Sequence, residues 1–254
     1  SYVSGALTAA GVTMMYTAVY AAFALYGLVP ALVAVAGLVL VSALAFGLSL
    51  LHGPLIAALA LCGGFLIPAL VSTGSESALE LFSFLTALIG AALAIVRFRD
   101  WRSIAWLTVA GAVIWPMFWV AAYWEPADAP ILGMYLLVVS ALFLFLRRPT
   151  PEPKTLPGER AAAWLALADA DRVAWAAAVA MGAVAFVLVR VDAYGVDSLM
   201  TLGGLAALVM VAGWRQARFD VLAALALALV LVLLSLWHLE RIADPSGNTL
   251  GVEG

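Results

Sequence analysis

Long apolar runs separated by brief polar punctuation fill this chain from end to end. A hydrocarbon layer of roughly 30 Å needs about 20 apolar residues for each helical crossing. Nine runs meet or approach that length: 5–25, 30–51, 54–72, 77–96, 102–123, 130–146, 172–190, 198–213 and 219–238. The third, sixth and eighth are short or interrupted, so eight crossings is the alternative count. The runs are continuous and rich in Leu and Ala, without the strict alternation of a lipid-facing barrel strand, and they predict helices. The expected fold is all-α, a polytopic transmembrane bundle.

The polar stretches give the organisation. Residues 1–147 form a block of six runs, and 172–238 a block of three. Between them, 148–171 begins with the Pro-rich stretch from Arg148 to Pro157, which predicts an extended connection. Its second half, Glu159 to Asp171, fits a short helix lying on the membrane surface with Trp164 inserted. Residues 239–254 read as a polar tail.

The distribution of charge orients the bundle. Ten of the twelve basic residues fall on alternate connections: Arg97, Arg99 and Arg102; Arg147, Arg148, Lys154, Arg160 and Arg172; Arg215 and Arg218. The positive-inside rule makes that side cytoplasmic, with the N-terminus inside and the C-terminus outside. The other side carries Arg190 and Arg241 among acids such as Glu76, Glu80, Glu125, Asp128, Asp192 and Asp197. Trp101 and Trp106 fall near the inner end of the fifth run, and Trp119, Tyr123 and Trp124 near its outer end, as expected of rings anchored at the two interfaces.

Composition sharpens the class. The chain of 254 residues is 66% hydrophobic and 11% charged, with a net charge of −3. Its mean hydropathy is +1.12. Ordinary soluble domains carry about 25% charged residues, so a soluble enzyme, a disordered chain and a nucleic-acid binder with a basic stripe are all excluded. Cys62 is the one cysteine, and His52 and His238 have no ligand spacing, so neither a disulfide nor a metal site is expected. No secretory leader pattern opens the chain.

Candidate chemistry is sparse. In the third run, Gly63-Gly64-Phe-Leu-Ile-Pro68 joins two glycines to a proline that removes a backbone donor and clashes with the Gly64 carbonyl, predicting a kink or break. Broken helices in transporters expose backbone groups to substrate, and the alternative is tight packing through small residues. In the first run, Thr13, Tyr16, Thr17 and Tyr20 share one helical stripe, which either lines a polar path or supplies interhelix hydrogen bonds. Glu76, Glu80 and Ser83 share a face at the start of the fourth run, where the carboxylates either hold a cation or a proton, or close the capping boxes Thr73-Gly-Ser-Glu76 and Ser77-Ala-Leu-Glu80. Arg190 follows an apolar run on the acidic side, placed to hold an anionic head group, to pair with an acid or to snorkel. Asp169-Ala-Asp171 spells a common D-x-D string with no nucleotide site beside it. Leu28 to Val33 and Leu66 to Val71 are alike at an offset of 38 residues, but Pro30 opens a helix whereas Pro68 interrupts one, which weakens the repeat. No acid, base or histidine falls in the middle of a run, which disfavours a charge-relay pump.

Gly11-Val, Tyr16, Tyr20-Ala-Ala, Leu25-Tyr-Gly-Leu-Val-Pro30, Gly63-Gly-Phe-Leu-Ile-Pro68, Ser72-Thr-Gly74 and Trp101-Arg102 resemble the polytopic membrane proteins of bacteria classed only as a domain of unknown function. The resemblance covers roughly residues 1–125. It implies a multi-pass protein of the cell inner membrane and a longer parent chain of which this is a fragment. It carries over no activity, cofactor or catalytic residue.

Two function classes remain. One is a transporter or lipid-handling protein, with Thr13, Tyr16, Thr17, Tyr20, Gly63, Gly64 and Pro68 at its site and Glu80 or Arg190 at the outer mouth. The other is a non-catalytic structural or scaffolding subunit. Expected partners are membrane lipid and, through small-residue helix faces, other proteins or further copies of the chain. Nucleic acid, cofactors and metals are not expected.

Overall fold

The structure, a computed structural model, describes residues 2–70, 77–99, 101–146, 172–215, 226–233, 235 and 238. Among the described residues, apolar helices follow in this order: α1 (Tyr2–Ala24), α2 (Ala31–His52), α3 (Pro54–Leu70), α4 (Ala78–Arg99), α5 (Arg102–Ala122), α6 (Ala129–Phe145), α7 (Arg172–Val191) and α8 (Val196–Arg215). A single 3-10 turn, Pro126–Asp128, leads into α6, and residues 226–233 are helical within the ninth apolar run. Among the described residues there is no strand, and seven helices are long and apolar enough to cross a membrane. The helix at Pro54–Leu70 is equally apolar but shorter. The connection at 148–171, the D-x-D string, Glu76 with its Thr73 capping box, and the tail from 239 lie outside the described residues.

Each helix occupies its expected run, and differences at the ends have local causes. α2 and α3 turn back on each other through Gly53 alone, whose φ of 106° lies in a region that favours glycine. Pro54 then opens α3, where its missing N–H is no loss. α4 runs beyond the predicted stop at 96, to Arg99. Cations suit the final turn of a helix because they face its partial negative charge. α7 and α8 form a hairpin across 192–195, where Ala193 and Tyr194 adopt positive φ and the Ser198 hydroxyl donates to Asp192 Oδ2 at 2.7 Å.

The extra turn of α4 joins three helix ends. Arg97 Nη1 donates to the Leu146 carbonyl and Arg99 Nη2 to the Leu50 carbonyl, each at 2.6 Å. Both carbonyls are unpaired groups at helix C-termini, so α2, α4 and α6 end on one face. Arg102 opens α5 on that same face. Arg172 and Arg215 lie at one end of the α7–α8 hairpin.

In the interior, α3 packs on α1, α2, α4 and α5, while α6 packs on α4, α7 and α8. Hydrophobic attraction between helices is absent in lipid, so close approach through small residues has to replace it. Gly111 of α5 receives the Phe65 ring of α3, and Gly133 of α6 receives the Thr201 side chain of α8. A Cβ at either position would overlap its guest. Phe82, Trp119 and Tyr135 form an aromatic cluster joining α4, α5 and α6. Trp119 is 6% exposed, and its indole N–H donates to Asp128 Oδ2 at 2.8 Å. It is therefore an internal tie across the α5–α6 connection, unlike Trp106, which is exposed.

Candidate functional site

Of the nominated residues, Tyr16 and Gly63 meet in one contact, and Glu80 and Arg190 lie at two helix ends. The contact is Tyr16 on Gly63. The Tyr16 ring from α1 lies so close to Gly63 of α3 that a side chain at 63 would collide with it. The Tyr16 hydroxyl lies 2.6 Å from Ser42 Oγ of α2 and 3.3 Å from the Ala60 carbonyl of α3. Ser42 Oγ also lies 3.0 Å from the Leu38 carbonyl, so the two hydroxyls share their two protons among three contacts. One phenol thus links three helices, and Ser42 is buried at 4% exposure.

The rest of the stripe behaves differently. Thr13 donates to the Ala9 carbonyl and Thr17 to the Thr13 carbonyl, both at 2.9 Å, and both threonines are exposed. A short hydroxyl reaches the carbonyl four residues earlier and so needs no partner helix. Tyr20 is half-buried.

At Gly63–Pro68 the helix is continuous from Pro54 to Leu70, so the expected break is not present in the described residues. Pro68 removes one N–H, two residues before the last described residue of α3. Gly64 is buried against Leu88 of α4, where a Cβ would lie 2.7 Å from a leucine methyl. Trp115 Nε1 from α5 donates to the Phe65 carbonyl at 3.1 Å, one residue beyond the carbonyl that Pro68 leaves without its helical donor.

Glu80 is exposed in the first turn of α4, where its N–H approaches Ser77 Oγ at 3.4 Å, half of a capping box. Arg190 is exposed in the last turn of α7. It donates to the Tyr194 hydroxyl, with its guanidinium carbon 5.5 Å from the centre of that ring.

Sequence reasoning passed over three residues. Pro116 lies inside α5 and leaves the Ala112 carbonyl without its helical donor. The Tyr135 hydroxyl of α6 supplies that donor at 2.9 Å. A proline inside an apolar run signals such an orphaned carbonyl, but nothing in the sequence says which helix answers it. Ser140 of α6 is buried, and among the described residues its hydroxyl has no hydrogen-bond partner.

The polar groups at Tyr16, Ser42, Trp115, Tyr135 and Ser140 are neutral hydroxyls, an indole and the carbonyls they meet. Among the described residues no group of His, Cys, Asp and Glu is arranged to hold a metal ion. The arrangement is that of a multi-pass helical membrane protein whose interior polar groups join helices. A family described as "Predicted membrane protein (DUF2339)" matches residues 1–250, so the chain belongs to that family, a domain of unknown function. The match reaches well past residue 125, where the resemblance seen in the motifs stops. Searches of curated proteins and of solved structures return no match.

Proposed function

We propose that this chain is a non-catalytic structural platform, a multi-pass module of the cell inner membrane on which further protein assembles. The observation that supports it is the Tyr16 contact: its hydroxyl meets Ser42 and the Ala60 carbonyl, and its ring rests on Gly63. Polar side chains elsewhere follow the same rule, Trp115 on α3 and Tyr135 on α5. On the outer side of α1, Ala10, Gly11 and Ala18 are exposed, which suits close approach of another helix. The arginine-bearing face is then cytoplasmic.

The competing reading, transport or lipid handling along Thr13, Tyr16, Thr17, Tyr20, Gly63, Gly64 and Pro68 with Glu80 or Arg190 at the mouth, requires the Tyr16 ring to leave Gly63. Cross-linking in native membranes followed by purification separates the two. A stoichiometric partner or a defined homo-oligomer is expected. A chain recovered alone, which moves solute or lipid in proteoliposomes and loses that activity with Tyr16→Phe, would overturn the proposal.

A further inference from the structure

Three exposed arginines stand where α4 gives way to α5: Arg97, Arg99 and Arg102. Arg97 and Arg99 each place one N–H on a helix-end carbonyl, that of Leu146 and that of Leu50. A guanidinium carries five N–H donors in a planar fork, so each keeps further donors for an outside acceptor. Arg102 follows Arg99 by three residues, which holds their Cα atoms within about 11 Å of each other. It stands in the first turn of α5, where the partial positive charge of the helix disfavours a cation, and no acid accompanies it in that turn. Glu80, Glu125, Asp128, Asp192 and Asp197, the acids among the described residues, stand at or beside the opposite helix ends. Asp100 lies outside the described residues, and from 97 to 102 the sequence sets three arginines against that one acid.

Large apolar side chains are exposed beside these cations. Phe98, between Arg97 and Arg99, is 72% exposed, and Leu51, next to the carbonyl that Arg99 holds, is 80% exposed. Trp106 is exposed too, and it lies one helical turn on from Arg102, on the same face of α5.

We propose that Arg99 and Arg102 hold the phosphate of an anionic phospholipid, with Arg97 on the flank and the acyl chains against Phe98 and Trp106. The pairing of chemistries selects this occupant. Guanidinium forks match phosphate oxygens and bind them bidentately. A free phosphate or an acidic protein segment would leave the exposed rings uncovered, whereas a lipid covers them. A zwitterionic lipid brings its own cation to a place that already holds three. The lipid is held in place rather than moved, so the inference stands apart from the platform reading of the bundle.

Native mass spectrometry of the full chain in a neutral detergent tests this by titration with dioleoylphosphatidylglycerol and, with the same acyl chains, dioleoylphosphatidylcholine. The anionic lipid should bind more tightly. Arg99→Gln and Arg102→Gln should each weaken its binding about fivefold, the equivalent of about 1 kcal/mol per cation at an anionic surface, and leave the zwitterionic lipid unchanged. Arg102→Gln takes a cation away from a helix N-terminus, so the fold should survive it. Arg215→Gln is a matched loss of charge on α8, which packs on α6 and α7, and should leave binding unchanged. Glycerol phosphate, a head group without chains, should not displace the lipid. The inference fails if the two lipids bind alike, or if either glutamine variant at 99 or 102 binds the anionic lipid like the unmodified chain. It fails equally if Arg215→Gln weakens binding as much, as diffuse charge would, or if glycerol phosphate displaces the lipid, as a site for soluble anions would.

Discussion

Tyr135→Phe tests how a proline is accommodated inside a membrane helix. Pro116 has no N–H for the Ala112 carbonyl, and the Tyr135 hydroxyl provides one at 2.9 Å. Tyr135 is 2% exposed and Ala112 0%, so water cannot substitute. The substitution keeps the ring, whose centre is 4.9 Å from that of Phe82, and removes only the donor. An unsatisfied buried acceptor costs about 1–3 kcal/mol. Interhelix hydrogen bonds in membrane bundles average about 0.6 kcal/mol and reach about 1.7. A loss of about 1–2 kcal/mol is therefore expected. In a Pro116→Ala background, residue 116 regains an N–H for Ala112, and the same change should cost less than about 0.5 kcal/mol. Reversible unfolding of the four proteins in mixed micelles, followed by far-ultraviolet circular dichroism, gives both costs. Equal costs in the two backgrounds, or no cost with proline present, would refute the reasoning.

Other predictions concern packing, helix ends and sidedness. Gly111→Ala should destabilise the bundle by about 1–3 kcal/mol through overpacking against Phe65, and Phe65→Leu should recover part of that loss in the same unfolding assay. Arg97→Ala and Arg99→Ala should each cost about 0.3–1 kcal/mol, because each leaves a helix-terminal carbonyl without its cation; high salt should shrink the difference between variant and parent. In a Cys62→Ser background, an impermeant thiol reagent added to intact cells should label Ala127→Cys and spare Ser103→Cys until the membrane is opened. The reverse pattern would invert the orientation.

The helices were legible in the sequence because a hydrocarbon layer permits few solutions: each apolar run must satisfy its own backbone, and a helix does so. Side-chain roles were less legible. The stripe Thr13, Tyr16, Thr17 and Tyr20 has helical spacing, yet a threonine can bond its own helix while the longer Tyr16 side chain reaches a neighbour. Spacing alone does not reveal that difference in reach. Pro68 stood out as a breaker, but it falls close to the last described residue of α3, and the helix runs on through it. Arg97 and Arg99 were legible as cations at the end of the fourth run, while their bonds to the ends of α6 and α2 depend on which helices pack beside α4. Ser140 gave no signal, since a lone serine in an apolar run is ordinary.

Tyr16 of α1 meets α2 and α3 in a dry contact that joins the three helices. Accessibility at Ser42, the buried hydrogen-bond partner of the Tyr16 hydroxyl, tests this. Ser42→Cys in a Cys62→Ser background is exposed, in membranes, to a charged water-soluble methanethiosulfonate from each side in turn, with Ala127→Cys as the reactive control. Residue 42 should stay unlabelled from both sides while the control reacts. Labelling of residue 42 at a rate approaching the control would place water at the Tyr16–Gly63 contact and contradict it.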